Sequence, residues 1–281
     1  MNDPQAETPQ QDKNSLRDAW GRRIHYLRVS VTDRCNLRCR YCMPEEGVAP
    51  LRHEDILSYE EILDFVQTAI GLGVDKVRVT GGEPLVRAGL VAFIARLSQV
   101  RGLQDLSLTT NATLLPRYAD ALRKAGLRRI NISLDTMDPA RYAELTRRGS
   151  LEDALAGIET ALRVGFDPIK LNCVVDASRD EPDAKAVAEF AAKHGIEVRF
   201  IPRMDIAAGR FGRVDGGTGG HCAGCNRLRL SADGFLRPCL FSDLAYDVRS
   251  GPYEEVIRQA VREKPEQGAV SIKNRMNRVG G

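Results

Sequence analysis

The sequence predicts an α/β fold built on a parallel sheet. Six short runs rich in β-branched and apolar residues alternate with segments of helical periodicity, which is the pattern of βαβ units. With 281 residues, 43% of them apolar, the chain is long enough to bury such a sheet beneath helices. The polar residues that interrupt the pattern fall just after strand runs, where α/β sheets and β/α barrels both bind ligands.

The strand runs are Tyr26–Thr32, Lys76–Thr80, Leu106–Thr110, Arg129–Leu134, Ile169–Val175 and Glu197–Ile201. Between the first two, Ser58 and Glu61 form a capping box ahead of Ile62, Phe65, Val66, Ala69 and Ile70 at helical spacing. Gly71 and Gly73 end that helix. Similar helical segments run over about 88–99, 116–125, 151–164 and 183–194. Six strands suit either a doubly wound sheet or part of a β/α barrel. Beyond residue 204 the pattern changes. Residues 205–220 are Gly-rich and read as a flexible connection. A segment over 221–281 follows, with three cysteines, one more helix near 252–263 and a basic tail ending in Gly280 and Gly281.

Composition narrows the function classes. No run approaches the roughly 18 apolar residues of a membrane span, and the apolar content excludes a chain disordered throughout. Residues 1–15 are polar, lack the apolar core of a secretory signal and read as a disordered leader. The expected location is therefore the cytoplasm, where thiols stay reduced. The net charge of +3 does not point to nucleic acid, but clustered Arg residues would suit a phosphorylated substrate.

The seven cysteines form two triplets and a singleton. Cys35, Cys39 and Cys42 are spaced C-x3-C-x2-C, and Cys222, Cys225 and Cys239 are spaced C-x2-C-x13-C. Cys173 lies in an apolar strand run and reads as a buried small hydrophobe. Two thiol triplets in a reduced compartment point to metal rather than disulfides. Structural zinc takes four ligands; His221 could complete the second set, but nothing near the first is an obvious fourth. An iron–sulfur cluster held by three Cys leaves one iron open to a small molecule, a departure from the usual four-Cys ligation.

The run Cys35-Asn36-Leu37-Arg38-Cys39-Arg40-Tyr41-Cys42, with Gly81-Gly82-Glu83-Pro84 after the next strand, resembles the signature of the radical S-adenosylmethionine (SAM) enzymes. The stretches VRVTGGEPLVR, LTTNATLL, GLRRINISLDT, VRFIPRMD and HCAGCNRLRLSADGFLRPCLFS, with the terminal GG, resemble more closely the GTP 3′,8-cyclases of molybdenum cofactor biosynthesis.

That resemblance implies a partial, six-stranded TIM-type β/α barrel with a small C-terminal iron–sulfur segment. It implies two 4Fe–4S clusters, one on each Cys triplet, with SAM on the open iron of the first and GTP at the second. Tyr41, Gly82, Ser133 and Met204 would line the SAM site. Adjacent glycines would let the backbone approach a ligand closely, and Glu83 could accept from an ammonium. Arg28, Arg78, Thr109, Lys170, Arg199, Arg227 and Arg229 would hold GTP, guanidinium forks suiting phosphate oxygens. Arg227, Arg229, Gly280 and Gly281 would assist the reaction, in which the ribose 3′ hydrogen is abstracted and the sugar radical attacks guanine C8. The implied partners are an electron donor and the next enzyme of the molybdopterin pathway, with no nucleic acid and no membrane; the chain would be a monomer or a homodimer.

The sequence also departs from the pattern. The segment between the sixth strand and the second triplet is short, which would leave the barrel more open and the second cluster less shielded. Ala112 stands where related chains often have Gly, a mild change. Three other readings stay open at this point: a radical SAM enzyme acting on a peptide, a zinc module that holds nucleic acid, and a shortened inactive relative.

Overall fold

The structure is a computed structural model that describes residues 15–274 and 276–279. Residues 1–14 of the expected leader, and Gly280 and Gly281, lie outside the described residues. The strands are β1 (Tyr26–Ser30), β2 (Lys76–Thr80), β3 (Asp105–Thr110), β4 (Arg129–Ser133), β5 (Ile169–Val175) and β6 (Glu197–Pro202). They pair in parallel, each with the next. Three more strands extend the sheet beyond β1: β7 (Arg227–Leu230), β8 (Phe235–Arg237) and β9 (Tyr246–Asp247). The nine-stranded order is β6-β5-β4-β3-β2-β1-β7-β8-β9, with β7 parallel to β1 and β8 and β9 antiparallel. The segment that carries the second Cys triplet therefore continues the same sheet. The sequence gives no local signal for these short strands, because they join the sheet only through β7, whose pairing with β1 links residues about 200 positions apart.

Helices α1 (Tyr59–Gly71), α2 (Leu90–Ser98), α3 (Leu115–Lys124), α4 (Pro139–Thr146), α5 (Leu151–Val164) and α6 (Pro182–Lys193) connect the first six strands. The α1 capping box forms as its residues predict, with Glu61 N donating to Ser58 Oγ at 3.1 Å and Ser58 N to Glu61 Oε2 at 2.7 Å. Helix α4 is too short to show a clear period; it starts from the Asp138 cap, which accepts from Arg141 N at 2.7 Å. Helix α7 (Tyr253–Arg262) sets Tyr253 edge-on to Phe65 of α1, ring centroids 5.3 Å apart, and so fastens the C-terminal segment to the barrel.

Strand alternation separates two faces. Leu27, Val29, Val77, Val79, Leu108, Ile130, Ile132, Leu171 and Leu228 are buried in the apolar core shared with the helices. On the opposite face the register sets Arg229, Arg28, Arg78 and Ser107 side by side. The next positions on that face include Asn131 beside Lys170 and Asn172 beside Arg199. A closed β/α barrel fills its interior with branched apolar side chains. This partial barrel lines its interior with cations instead.

Two loop positions show backbone control. Ala112 has φ +67°, the left-handed region that favours glycine, so the change that reads as mild carries backbone strain. Gly157 of α5 packs on it so closely that a Cβ there would lie 2.1 Å from the Ala112 carbonyl oxygen. Gly157→Ala is expected to cost about 3 kcal/mol through overpacking, whereas Ala112→Gly should gain roughly 0.5 kcal/mol, relief of strain offset by added chain entropy. Urea denaturation of the two variants checks both signs.

Candidate active site

The first triplet lies on the loop after β1. Backbone bonds pin this loop to the end of α4: Arg38 N donates to Thr146 O at 3.0 Å and Arg40 N to Leu145 O at 3.0 Å. Cys42 N turns back to Cys39 O at 2.9 Å. Arg147 Nη1 binds the Arg38 and Met43 carbonyls at 3.1 and 3.0 Å, bracketing Cys39 and Cys42. Leu37 N donates to Cys35 Sγ at 3.3 Å. Burial pushes the Cys35 thiol up to about 11 and Cys42 up to about 12, and Cys39 is raised too, by burial and then by Asp135 and the other two cysteines.

The GGEP segment serves this loop directly. Gly82 N donates to Thr32 O at 2.7 Å and Glu83 N to Arg34 O at 2.8 Å. A Cβ on Gly81 would lie 2.8 Å from Thr32 O, and one on Gly82 would lie 2.4 Å from Arg34 O. Here the close approach that requires both glycines is to the chain's own backbone. The Glu83 carboxylate is likewise engaged within the protein, accepting from Thr110 Oγ1 at 2.8 Å, Asn111 N at 2.7 Å and Leu85 N at 3.0 Å. Burial outweighs these donors and pushes Glu83 up from 4.5 to about 7.

A carboxyl raised in the folded state favours the protonated fold. Its contribution is fully present below pH 4.5 and is lost as pH rises through about 7. Stability of the protein is expected to fall by up to about 3 kcal/mol over that window. The fall should flatten in Glu83→Gln, as urea denaturation at pH 5 and pH 8 would show.

Near the first triplet, Cys39, Tyr41, Ser133 and Asp135 line a small cavity of about 20 Å³. Tyr41 OH donates to Asp135 Oδ2 at 2.8 Å, and Val174 N donates to Asp135 Oδ1 at 2.8 Å. Met204 stands elsewhere: it lines a much larger cavity, of about 340 Å³, with the second triplet. Cys173 is fully buried in the core, as a small hydrophobe would be.

The larger cavity brings Arg28, Arg78, Arg199, Arg227 and Arg229 together with Cys222, Cys225 and Cys239. Burial, then the neighbouring Arg229, holds the Arg28 guanidinium well below its ordinary range. Burial also lowers Arg78 and Arg199, and with Arg227 it brings Arg229 down to about 10. These cations repel one another, and an anion placed among them removes the repulsion. Thr109 and Lys170 do not line this cavity. Lys170 is paired with Glu197, and Thr109 Oγ1 is buried with no hydrogen-bond partner among the described residues.

The structure adds residues that sequence reasoning missed. Lys76 lines the cavity, and so does Tyr26, whose ring centroid lies 5.2 Å from Lys76 Nζ and 5.6 and 5.9 Å from the Arg78 and Arg227 guanidinium carbons. His25 Nδ1 meets Asp75 Oδ1 at 2.7 Å and Asn226 Nδ2 meets His25 Nε2 at 2.8 Å, which orients Asn226 beside Cys225. Strand alternation could have placed Lys76 beside Arg78; the His25–Asn226 contact has no local sequence signal.

Residues 205–220 form the remaining wall. Phe200 and Asp215 exchange backbone bonds of 3.0 Å, and Phe211, Val214 and Thr218 line the cavity. Arg227 Nη2 donates to Thr218 O at 2.7 Å. The glycines of this segment allow tight folding: a Cβ on Gly220 would lie 1.9 Å from Gly212 O. Ile206, Leu240, Phe241 and Val279 form a small core beside Met204 and Cys239, so the last described residues pack at this cavity.

The donor sets fit iron–sulfur clusters. Each triplet offers three soft thiols beside a cavity, and His221 lines the larger one with the second triplet. Among the described residues no three His, Cys, Asp or Glu side chains converge on a single metal ion; thiolates that cap separate irons need no such convergence. The two environments differ in charge. The first triplet sits near Asp135 and Glu83, whereas Lys264, Arg227 and Arg229 outweigh burial and hold the Cys225 thiol below its ordinary value. Among the described residues no helix is long and apolar enough to cross a membrane.

Comparison with known proteins agrees with this geometry. Residues 29–191 match the model of the radical SAM superfamily. The GTP 3′,8-cyclase of Alkaliphilus oremlandii is 39% identical, the match covering 90% of this chain and 94% of that one. The GTP 3′,8-cyclase of Petrotoga mobilis is 40% identical over 89% of this chain and 91% of its own. The first alignment runs over 300 positions against a chain of 281, so the relative carries insertions. Among solved structures, SAM-bound SuiB of Streptococcus suis superposes with a TM-score of 0.52 at 18% identity, over 64% of this chain and 39% of that one. AdoMet-bound anSMEcpe gives 0.51 at 20% identity, over 67% and 54%. The fold, the two thiol triplets and the length of these matches agree: the chain belongs to the radical SAM superfamily and, within it, to the family of the GTP 3′,8-cyclases.

Proposed function

We propose that this chain converts GTP to (8S)-3′,8-cyclo-7,8-dihydroguanosine 5′-triphosphate, the first step of molybdenum cofactor biosynthesis. The observation that carries the reading is the cavity that gathers Arg28, Arg78, Arg199, Arg227 and Arg229 around the second thiol triplet. A nucleoside triphosphate supplies both an anion that would offset the mutual repulsion of these guanidiniums and a base to face Cys222, Cys225 and Cys239.

In this reading Cys35, Cys39 and Cys42 hold one 4Fe–4S cluster and Cys222, Cys225 and Cys239 the other. With SAM bound, the first cluster supplies one-electron cleavage of SAM and the radical that abstracts hydrogen. Tyr41, Gly82 and Ser133 border the SAM side, while Met204 lines the cavity of the second triplet. Arg28, Arg78, Arg199, Arg227 and Arg229 clamp the triphosphate and so fix the ribose, with Lys76 as a further cation on the same face. Lys170 and Thr109 stand on the neighbouring rung of β3–β5, outside the cavity lining, and have no direct GTP contact in this reading. Gly280 and Gly281, beyond the described residues, follow Val279, which is packed beside Met204 and Cys239. The hydrogen leaves C3′, the C3′–C8 bond forms, and one electron and one proton complete the product. The electrons come from a separate donor, and the protein works in the cytoplasm ahead of the next molybdopterin enzyme.

The test is one anaerobic turnover with SAM, dithionite and GTP on protein reconstituted with iron and sulfide. Cyclised GTP together with 5′-deoxyadenosine, seen by mass spectrometry, is the expected result. Deoxyadenosine without cyclised GTP would move the substrate, and neither product from cluster-bearing protein would mark an inactive relative.

A further inference from the structure

Beside the second triplet, outside the cavity lining, lies a buried cation that the proposed reaction does not use. Lys264 follows α7 and is only 3% exposed. An ammonium has three donors and no acceptor, and two backbone carbonyls accept from this one. Nζ donates to Arg227 O at 2.9 Å and to Pro238 O. Arg227 follows Cys225 by two residues and Pro238 immediately precedes Cys239. One ammonium therefore ties the two arms of the triplet together.

The surrounding contacts hold Lys264 in place. Trp20 Nε1 donates to Lys264 O at 3.1 Å. Arg22 Nη2 donates to Pro265 O at 2.7 Å, and Arg22 Nη1 reaches both Glu266 O at 2.7 Å and Cys222 O at 2.8 Å. Arg22 is itself fixed by Asp18 at 2.5 Å. The N-terminal segment thus braces the backbone on which Lys264 sits. Arg227 and Arg229 line the cavity, where a bound anion would neutralise them; Lys264 does not line it, and the ionisable groups that act on it most are Cys225, Cys239 and Arg22.

A buried positive charge favours the more negative, reduced state of an iron–sulfur cluster. We propose that Lys264 is a positioning residue that clamps Cys225 and Cys239 and raises the reduction potential of the second cluster. This rests on the reading of Cys222, Cys225 and Cys239 as cluster ligands.

The test isolates the second cluster in a full-length parent carrying Cys35→Ala, Cys39→Ala and Cys42→Ala. Iron analysis and a redox titration followed by electron paramagnetic resonance are then run on the parent and on Lys264→Arg, Lys264→Gln and Lys264→Met. The parent is expected to hold about four irons. In Lys264→Gln the reduced-to-oxidised ratio at a fixed solution potential should fall about tenfold, or 59 mV for one electron. Lys264→Met should fall at least as far, and Lys264→Arg should stay within threefold of the parent. A parent labelled with lysine carrying nitrogen-15 at Nζ should show a nitrogen coupling at the reduced cluster, lost in Lys264→Arg; this readout needs no destabilising variant. An iron-bearing parent with no such coupling, or iron-bearing Gln and Met variants with the parent's potential, overturns the assignment to Lys264 alone. A parent without iron overturns the ligand reading and this inference with it.

Discussion

Replacing Cys39 by alanine is expected to abolish 5′-deoxyadenosine formation while leaving the second cluster in place. Cys39 is the middle thiol of a loop whose backbone is tied to α4 on both sides of it, through Arg38 and Arg40. That anchoring holds the loop in position without the thiol, so the variant should fold. With two thiols left, the first cluster has no complete protein ligand set. Iron content should fall from about eight to about four per chain, and deoxyadenosine should drop to the level of a protein-free control. Binding of GTP to the second site should persist, because the five guanidiniums stand apart from this loop. Deoxyadenosine formed at the unmodified rate would remove the first triplet from the radical chemistry. Iron analysis and liquid chromatography of the nucleoside suffice for the measurement.

The second large effect concerns Arg229. This guanidinium lies beside Arg28 in the register of β7 and β1, with Arg78 one strand further on. Removing a buried partner of a bound anion costs 2–5 kcal/mol in comparable settings. Crowding by Arg28 and Arg227 in the free protein argues for the lower part of that range. Arg229→Ala is therefore expected to weaken GTP binding by about 2–3 kcal/mol, roughly 30- to 150-fold. The same substitution relieves repulsion in the free protein, so its melting temperature without GTP should hold or rise. Arg229→Lys keeps a point charge but loses the fork and should fall between the two. Calorimetric titration with GTP reads the first effect and thermal unfolding the second. Unchanged GTP affinity would take Arg229 out of the binding site.

These two predictions draw on different levels of legibility. The first triplet is visible in the sequence because its three thiols sit on one eight-residue loop, and local spacing alone sets what such a loop can hold. The strands β1–β6 are visible for a similar reason, since alternation and β-branching act within each run. Helix α1 is announced by a capping box that works through contacts three residues apart. The Arg residues within strands can be recognised as costly unless paired, but not as a single cluster. That clustering depends on β1 pairing with both β2 and β7, which aligns Arg28 with Arg78 and with Arg229.

Other features could not be read from the chain. The glycines of GGEP look like ligand-facing residues, yet their lack of a side chain is needed first for contact with Thr32 and Arg34. Glu83 looks free to meet an ammonium, yet three internal donors occupy it. Residues 205–220 look like a loose connection because glycine permits many conformations, and the contacts with β6 and Arg227 select one of them. Lys264 carries no local signal at all; it becomes notable only when α7 is docked and its ammonium meets strands β7 and β8.

What the sequence by itself determined was the parallel α/β frame, the two thiol triplets and the family to which they belong. Each of these is written in short-range periodicity or in the spacing of soft ligands along a few turns of chain. Only the tertiary structure decided that the C-terminal strands join the sheet at β1, that five guanidiniums share one cavity with the second triplet, and that one lysine bonds the backbone beside both Cys225 and Cys239. Those facts depend on which face each strand turns inward and which distant strand becomes its neighbour. Long-range register is selected by the burial of the whole apolar face at once, and no single segment encodes it.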